Sequence, residues 1–289
     1  MASFTLTTSG IAVSSYYAFK KRQPSVRALR DADLMIVIKD VYEANYSCYG
    51  VRKMWKAINR DYADRFGNVA RCTIERLMRQ LGIDGVRRKR KRPKTASAKA
   101  EECPDDLVER EFAADGPNCL WVADITYVPT QSGWVYTTFI LDVFHREIVG
   151  WQVTNHMRES LARDALTMAL AAKFRAGEDV SGLVHHSDRG VQFRSIRYGE
   201  TLAESEIVAS VGSRGDSYDN AMAEALNSVY KAELIDRRVW SGLIEVMAET
   251  SKWVGWYNQE RLHSAIDYRP PFEVHAEWID QGHIESAAA

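Results

Sequence analysis

The chain predicts an α/β protein, a mixed sheet flanked by helices, preceded by an all-α region. Three observations lead there. Between about residues 120 and 153, three apolar runs follow one another across short polar breaks, as in an antiparallel meander; beyond 158, helical and extended patterns alternate. Residues 34–86 place apolar side chains at helical spacing instead. The charge is also divided. Residues 1–100 hold 22 Lys and Arg against 8 Asp and Glu, and the remainder 16 against 31, although the 289-residue chain has a net charge of only −1. Such an asymmetry points to a nucleic-acid-binding arm joined to a different kind of domain.

Residues 1–33 read as a partial helical segment. Gly10-Ile-Ala-Val-Ser-Ser-Tyr-Tyr17 resembles the end of a unit whose beginning is missing, so the chain is expected to start inside a larger ancestral product. From 34 to 86, one stripe is Leu34, Ile36, Ile38, Val41 and Tyr42, and a second is Val51, Met54, Trp55 and Ile58. A third helix is expected to start with Thr73 as its N-cap and to end at Gly82. Arg71, Arg76 and Arg79 surround that helix. These residues fit a helix-turn-helix that offers arginines to DNA, and equally a small bundle with a solvated basic face.

A basic linker over 87–116 follows. Arg87, Arg88, Lys89, Arg90, Lys91 and Arg92 are expected to contact phosphate rather than bases, because charge alone carries no sequence information. A solvated spacer is the plain alternative.

The α/β domain is expected over 117–275, with a tail at 276–289. Its strands are read at 120–129, 134–143, 147–153, 182–187 and 207–211. Helices are read at 158–175, 195–205, around Glu224, and 241–257.

Three acids stand out. Asp124 sits inside the apolar run Leu120-Trp-Val-Ala-Asp-Ile-Thr-Tyr-Val128, Asp188 ends Leu183-Val-His-His-Ser-Asp188, and Glu224 lies on a helix 36 positions later. Two strand carboxylates and one helix carboxylate can converge on one point. Oxygen-only ligands suit Mg²⁺ or Mn²⁺, and a pair of such ions serves in-line attack on a phosphodiester.

Neighbouring residues take supporting roles. Gly190 lets the chain turn closely behind Asp188. Asp219 is a candidate cap for the Glu224 helix. Asn227 and Lys231 share the face of Glu224, which puts Asn227 beside the metal and Lys231 toward a DNA phosphate; a merely exposed side chain is the plain alternative for either. His186 is read as lining the site and His185 as core. A zinc site on the two is weak, because alternation sends them to opposite faces. Trp253, Trp256 and Tyr257 read as core. Asn258, Arg261 and His263 follow in a polar loop that either touches DNA or does not. Asp142 reads as a surface charge or a partner for Arg146.

The local motifs narrow the class. Trp121-x-x-Asp124-Ile-Thr-Tyr, His186-Ser-Asp-Arg-Gly-x-Gln-Phe193, Tyr218-Asp-Asn-Ala221 before Glu224, and Trp256-Tyr-Asn-x-x-Arg-x-His-Ser264 with Tyr268-x-Pro270-Pro271 resemble the second-frame transposases of the IS-three insertion-sequence family. Tyr49-Gly-Val-Arg52 and Arg76-Leu-Met-Arg79 fit that family's helical DNA-binding segment. The resemblance spans nearly the whole chain. It departs at Ala225-Leu226, where members usually carry Ser and Phe at packing positions. It implies a ribonuclease-H-like integrase core and a DDE transposase that cuts and joins double-stranded DNA at element ends. It also implies two Mg²⁺ or Mn²⁺ ions, a homo-multimer, and an upstream-frame product fused to or associated with this one. Asp142 resembles a family position near the catalytic acids, and is equally a surface charge or a partner for Arg146. The rivals are a structure-specific nuclease of the same fold and a DNA-binding regulator with an inert core.

Composition excludes other classes. The four cysteines, Cys48, Cys72, Cys103 and Cys119, form no Cys-x-x-Cys, so neither a disulfide framework nor a zinc ribbon is indicated. No apolar run reaches the ~18 residues of a membrane span, and the cytoplasm is the expected location.

Overall fold

The computed structural model describes residues 13–87, 107–108, 113–188, 190, 192–211 and 220–282. The chain divides into two compact units, Met1–Gly85 and Val86–Ala289.

The first unit holds α1 (Val13–Lys21), α2 (Val26–Ala44), α3 (Val51–Asp61), α4 (Ala63–Phe66) and α5 (Arg71–Leu81). Helix α2 begins eight residues before the expected boundary at 34, because Ser25 caps it: its Oγ accepts from the Ala28 N–H at 3.2 Å. Its buried residues are Leu34, Val37, Ile38 and Val41. Ile36, assigned to the stripe from sequence, is 61% exposed. Two positions from Leu34 on a 3.6-residue turn is far around the helix, whereas three and four positions share its face.

Met54 and Ile58 on α3 meet Ile74, Leu77 and Met78 on α5 in this small core. Helix α5 starts earlier than expected. Ala70 is the N-cap, and the Thr73 N–H already bonds to the Ala70 carbonyl at 3.0 Å, so Thr73 lies inside the first turn. Gly82, with φ 65° and ψ 27°, closes the helix in the left-handed conformation as expected. The entry to α5 is fixed from α3: the Asn59 amide accepts from Val69 N–H at 2.7 Å and donates to Val69 O at 3.0 Å.

The second unit is a five-stranded sheet of β1 (Leu120–Thr130), β2 (Gly133–Asp142), β3 (Ile148–Thr154), β4 (Val184–Ser187) and β5 (Val208–Val211), in the order β3-β2-β1-β4-β5. The first three strands form an antiparallel meander; β4 and β5 run parallel to β1. The helices of this unit are α6 (Glu159–Ala176), α7 (Ile196–Glu204), α8 (Ala221–Glu233), α9 (Leu243–Gln259) and α10 (Pro271–Asp280).

Strand alternation separates the two faces of the sheet. Trp121, Ala123 and Ile140 point to one, where they pack with Ala162, Ala165, Leu166 and Ala169 of α6 and Tyr198 and Leu202 of α7. Gly150 on β3 permits the close approach of α6, since a Cβ there would lie 2.3 Å from the Ala165 carbonyl oxygen. On the other face, Phe139 meets Tyr230 of α8 edge-on at 4.9 Å, and Tyr230 meets Trp253 of α9 at 5.1 Å. Trp253, Trp256 and Tyr257 are buried, as their spacing predicts. Helix α10 is not foreshadowed by the sequence pattern, and the expected boundary at 275 falls in its middle. Pro271 starts it, and Trp278 anchors it against Phe144 at 4.8 Å.

Candidate active site

Strand β1 lies at the centre of the sheet, and Asp124 sits on the face covered by α8. The register Val122↔His186 places Val122 and His186 on the same side. Two residues further along each strand come Asp124 and Asp188. Asp188 lies one residue beyond the end of β4, where the backbone is freed from the ladder. The parallel pairing of β1 and β4, separated by more than sixty residues in sequence, therefore brings these two acids side by side.

Helix α8 supplies the third acid. Asn220 at its N-cap donates its amide Nδ2 to the Ala123 carbonyl at 2.8 Å, and Asn227 donates to Asp124 Oδ2 at 2.8 Å. Glu224 lies between these two anchors, exposed on the first turn of the helix, three residues before Asn227.

The electrostatics record the convergence. Burial pushes the Asp124 carboxyl up to about 7, the charge of Asp188 adds to the push and that of Glu224 adds less, while the Asn227 amide and the Ile125 N–H work against them. Asp188 opens to solvent, yet the protein crowded behind it also raises its carboxyl; the Gly190 N–H, bound to its Oδ1 at 2.9 Å, opposes that rise. A Cβ on Gly190 would stand 2.8 Å from that same oxygen, so the turn takes glycine for its close approach.

Asn227 is 2% exposed, and its Oδ1 finds no hydrogen-bond donor among the described residues. The three carboxylates and the unmatched amide oxygen are donors of the hard, all-oxygen kind that suits Mg²⁺ or Mn²⁺, although Asp124, Asp188 and Glu224 are not a group whose donor atoms all lie within 4.8 Å of one another. Lys231 lies 4.4 Å above the Tyr127 ring, one turn beyond Asn227.

Several sequence expectations change. His186 shares the face of Asp124 but is fully buried beneath it, with Nδ1 2.9 Å from Ser210 Oγ, so it supports the β4–β5 pair and does not line an accessible site. His185 is core as expected, 3.0 Å from the Tyr198 hydroxyl. Asp142 is neither close to the acids nor on the surface. It pairs with Trp121 on the opposite face and accepts from Asn118 N–H, Trp121 Nε1 and Phe144 N–H.

The polar loop after α9 turns inward. Arg261 is 6% exposed and grips Glu233 with both arms, at 2.8 and 2.7 Å. His263 is buried edge-on against Tyr257 at 4.5 Å. Asn258 brackets the backbone of Ile148, accepting from its N–H at 2.9 Å and donating to its carbonyl at 3.0 Å. Asn258 on the last turn of α9, with Arg261 and His263 beyond it, ties this part of the chain to β3, α8 and Tyr257.

In the helical unit, Arg71 is exposed, Arg76 is paired with Asp31 at 2.9 Å, and Arg79 lies 3.4 Å from Glu75. Arg87 is exposed. Arg88, Lys89, Arg90, Lys91, Arg92 and Asp219 lie outside the described residues. The sequence does not disclose the role of Asn220. An asparagine before a helix reads as a cap, and nothing local reveals that its amide crosses to β1.

The sheet order and the two-sided helical cover define an integrase core. Residues 114–217 and 205–271 match family models described as the integrase core domain, and residues 28–91 match an HTH-like domain. The chain belongs to the insertion-sequence transposases of the IS-three family, and it is a DNA transposase. It is 45% identical over 269 residues to the transposase for insertion sequence element IS629 of Shigella sonnei, across 91% of this chain and 88% of that one. Identity to the insertion sequence IS986/IS6110 protein of Mycobacterium tuberculosis is 44% over 273 residues, across 94% and 97%. The transposase for IS904 of Lactococcus lactis is 32% identical over 253 residues, across 86% and 96%. Among the described residues, no helix is long and apolar enough to cross a membrane.

Proposed function

We propose that Asp124, Asp188 and Glu224 are the catalytic acids of a DDE transposase and hold two Mg²⁺ ions, with Mn²⁺ as a substitute. The reading rests on one observation: the β1–β4 pairing sets Asp124 and Asp188 on one face of the sheet, and α8, which carries Glu224, is bonded to β1 there through Asn220 and Asn227, while the neighbouring acid charges help raise the Asp124 carboxyl. Buried like charges are costly, and divalent cations relieve them. When bound, such ions activate the attacking oxygen and stabilise the leaving oxygen of a phosphodiester.

The chain's own groups set the geometry. Asn227 and the Ile125 N–H hold Asp124, the Gly190 N–H holds Asp188, and Asn220 fixes the start of α8, the helix that carries Glu224. Lys231 is positioned to meet a DNA phosphate. Hydrolysis at the element end forms a bond from water oxygen to phosphorus and releases the 3′-hydroxyl. That hydroxyl then attacks a second phosphodiester, and the target's 3′ oxygen leaves as a new hydroxyl. No protein nucleophile takes part, so no covalent protein–DNA intermediate forms.

The exposed Arg71 and Arg79 and the run from Arg87 to Arg92 bind double-stranded DNA through phosphate contacts. Joining two element ends to a target calls for a homo-multimer, and an upstream-frame product, fused or associated, contributes to end recognition. The protein works in the cytoplasm, on chromosomal DNA.

The test is strand transfer with terminal-repeat oligonucleotides in Mg²⁺. Asp124→Asn, Asp188→Asn and Glu224→Gln are each expected to abolish cleavage and joining while DNA binding persists. Robust cleavage by any one of them removes that residue from the catalytic set.

A further inference from the structure

We propose that His145, Glu147 and His275 form a second metal site, separate from the acid cluster, that takes one Zn²⁺ ion and ties α10 to the β2–β3 turn. One donor atom from each of the three lies within 4.8 Å of the others. A tetrahedral ion at ~2.0–2.1 Å from each ligand sets neighbouring donors roughly 3.4 Å apart, so the widest pair closes by about 1.4 Å at most. Imidazole nitrogens with one carboxylate are a donor set that suits zinc, while Mg²⁺ prefers oxygen alone.

The surroundings resemble the outer shell of a metal centre. Asp142 lies behind His145, its Oδ1 3.1 Å from Nδ1, which leaves Nε2 toward Glu147 at 2.7 Å. Three donors besides His145 hold that carboxylate in place. Glu178 lies behind His275, its Oε2 3.4 Å from Nε2, and is itself held by Lys173 at 2.8 Å and Asn118 at 2.9 Å. The His275 Nδ1 is left 3.7 Å from Glu147. Each imidazole thus has a carboxylate behind one nitrogen and the shared Glu147 before the other, and the two rings stack at 4.6 Å.

Charge points the same way. Asp142, Glu147 and Glu178 are three carboxylates that face Lys173, the imidazoles of His145 and His275 and, through Asp142, the Arg146 guanidinium. A divalent cation held by the two imidazoles and Glu147 would be met by the Asp142 carboxylate behind one ring and the Glu178 carboxylate behind the other. Arg146, with φ 66°, makes the left-handed turn that lets His145 and Glu147 meet. Asp142 pairs with Trp121, three residues or about 10 Å along β1 from Asp124 and on the other face of the sheet, and the site lies beyond Asp142 in the β2–β3 turn.

The experiment uses the full chain carrying Asp124→Asn, Asp188→Asn and Glu224→Gln, which removes the acid cluster, after treatment with chelator and desalting. Titration with Co²⁺ is expected to give one ion per chain with the visible absorption of a four-coordinate nitrogen–oxygen site, displaced by one equivalent of Zn²⁺. Glu178→Gln should weaken binding ~10–100-fold as an outer-shell loss, and His275→Asn and Glu147→Gln should weaken it further. Zn²⁺ should raise the melting temperature of the parent chain and leave that of His275→Asn unchanged. Absence of the Co²⁺ band, or Zn²⁺ affinity untouched by His275→Asn, overturns the proposal in favour of a metal-free ion-pair cluster. Should His275→Asn not fold, zinc-edge X-ray absorption of the parent chain with one equivalent of Zn²⁺ decides: imidazole scattering supports the site, and its absence refutes it. Neither readout depends on strand transfer, so the site stands or falls independently of the proposed catalytic acids.

Discussion

At the scale of the residue, Asp124 shows how one carboxylate is prepared by its neighbours. Two donors hold it and two acids oppose its ionisation. Asn227→Ala removes one donor, and loss of a hydrogen bond to a charged group is worth about 1.5–3 kcal/mol. Strand transfer is expected to fall about tenfold or more, with the thermal midpoint changed far less than activity. Gly190→Ala tests the turn behind Asp188. Its methyl would displace the Asp188 oxygen that it would otherwise approach at 2.8 Å, and the expected result is cleavage that needs a higher Mg²⁺ concentration, with DNA affinity retained.

His185 gives a pH effect of definite sign. Burial, with the nearby charge of His186, lowers it from the ordinary histidine value to about 4, while its own backbone bond opposes the fall. The unfolded chain takes up this proton below about 6.5 and the folded chain only near 4, so His185 favours the fold above 6.5 and loses that contribution as pH drops toward 4. Denaturant titrations should show stability falling by up to ~1.4 kcal/mol per pH unit across that window. The fall should be smaller in His185→Gln, which retains an acceptor for Tyr198.

At the scale of the element, the junction after α9 is the instructive case. Asn258, Arg261 and His263 look from sequence like a polar loop free to touch DNA. In the fold they bind the backbone of β3, Glu233 on α8 and Tyr257 on α9. Arg261→Ala leaves Glu233 buried without its partner, and breaking such a pair costs about 3–5 kcal/mol. A strongly lowered thermal midpoint with little change in the salt dependence of DNA binding is the expected outcome. Arg261→Lys should restore little, because an ammonium cannot match the two-armed grip. The helix boundaries teach a related lesson. The hydrophobic period located α2 and α5, but Ser25 and Ala70 set where they begin, and period says little about the first turn.

At the scale of the whole molecule, charge is divided between a basic N-terminal third and an acidic remainder. Replacing Arg87, Arg88, Lys89, Arg90, Lys91 and Arg92 by glutamine should weaken binding to all duplex sequences alike. The slope of log affinity against log salt should shrink by ~0.9 for each phosphate that the variant no longer neutralises. An unaltered slope, measured by fluorescence anisotropy across salt concentrations, would remove the run from the DNA interface.

Much of the molecule is legible without coordinates, because period is a local property. Alternating apolar residues mark β1 and β2, three-to-four spacing marks the buried faces of α3 and α9, and acids set inside apolar runs announce chemistry. Helix α10 escaped because Phe272, Val274, Ala276 and Trp278 recur at every second position, the spacing of a strand, and only Pro271 is buried. What the linear order cannot supply is the partner that arrives from a distant segment. Glu233 takes Arg261 out of solvent, Ala123 receives the Asn220 amide, and α10 carries His275 to the turn holding His145 and Glu147. Composition and spacing are written along the chain, so they settled the fold class and singled out the three acids proposed as catalytic. Burial of a charge depends on which opposite group meets it in space, so only the packed tertiary structure separated the polar residues that face solvent from those that hold the protein together.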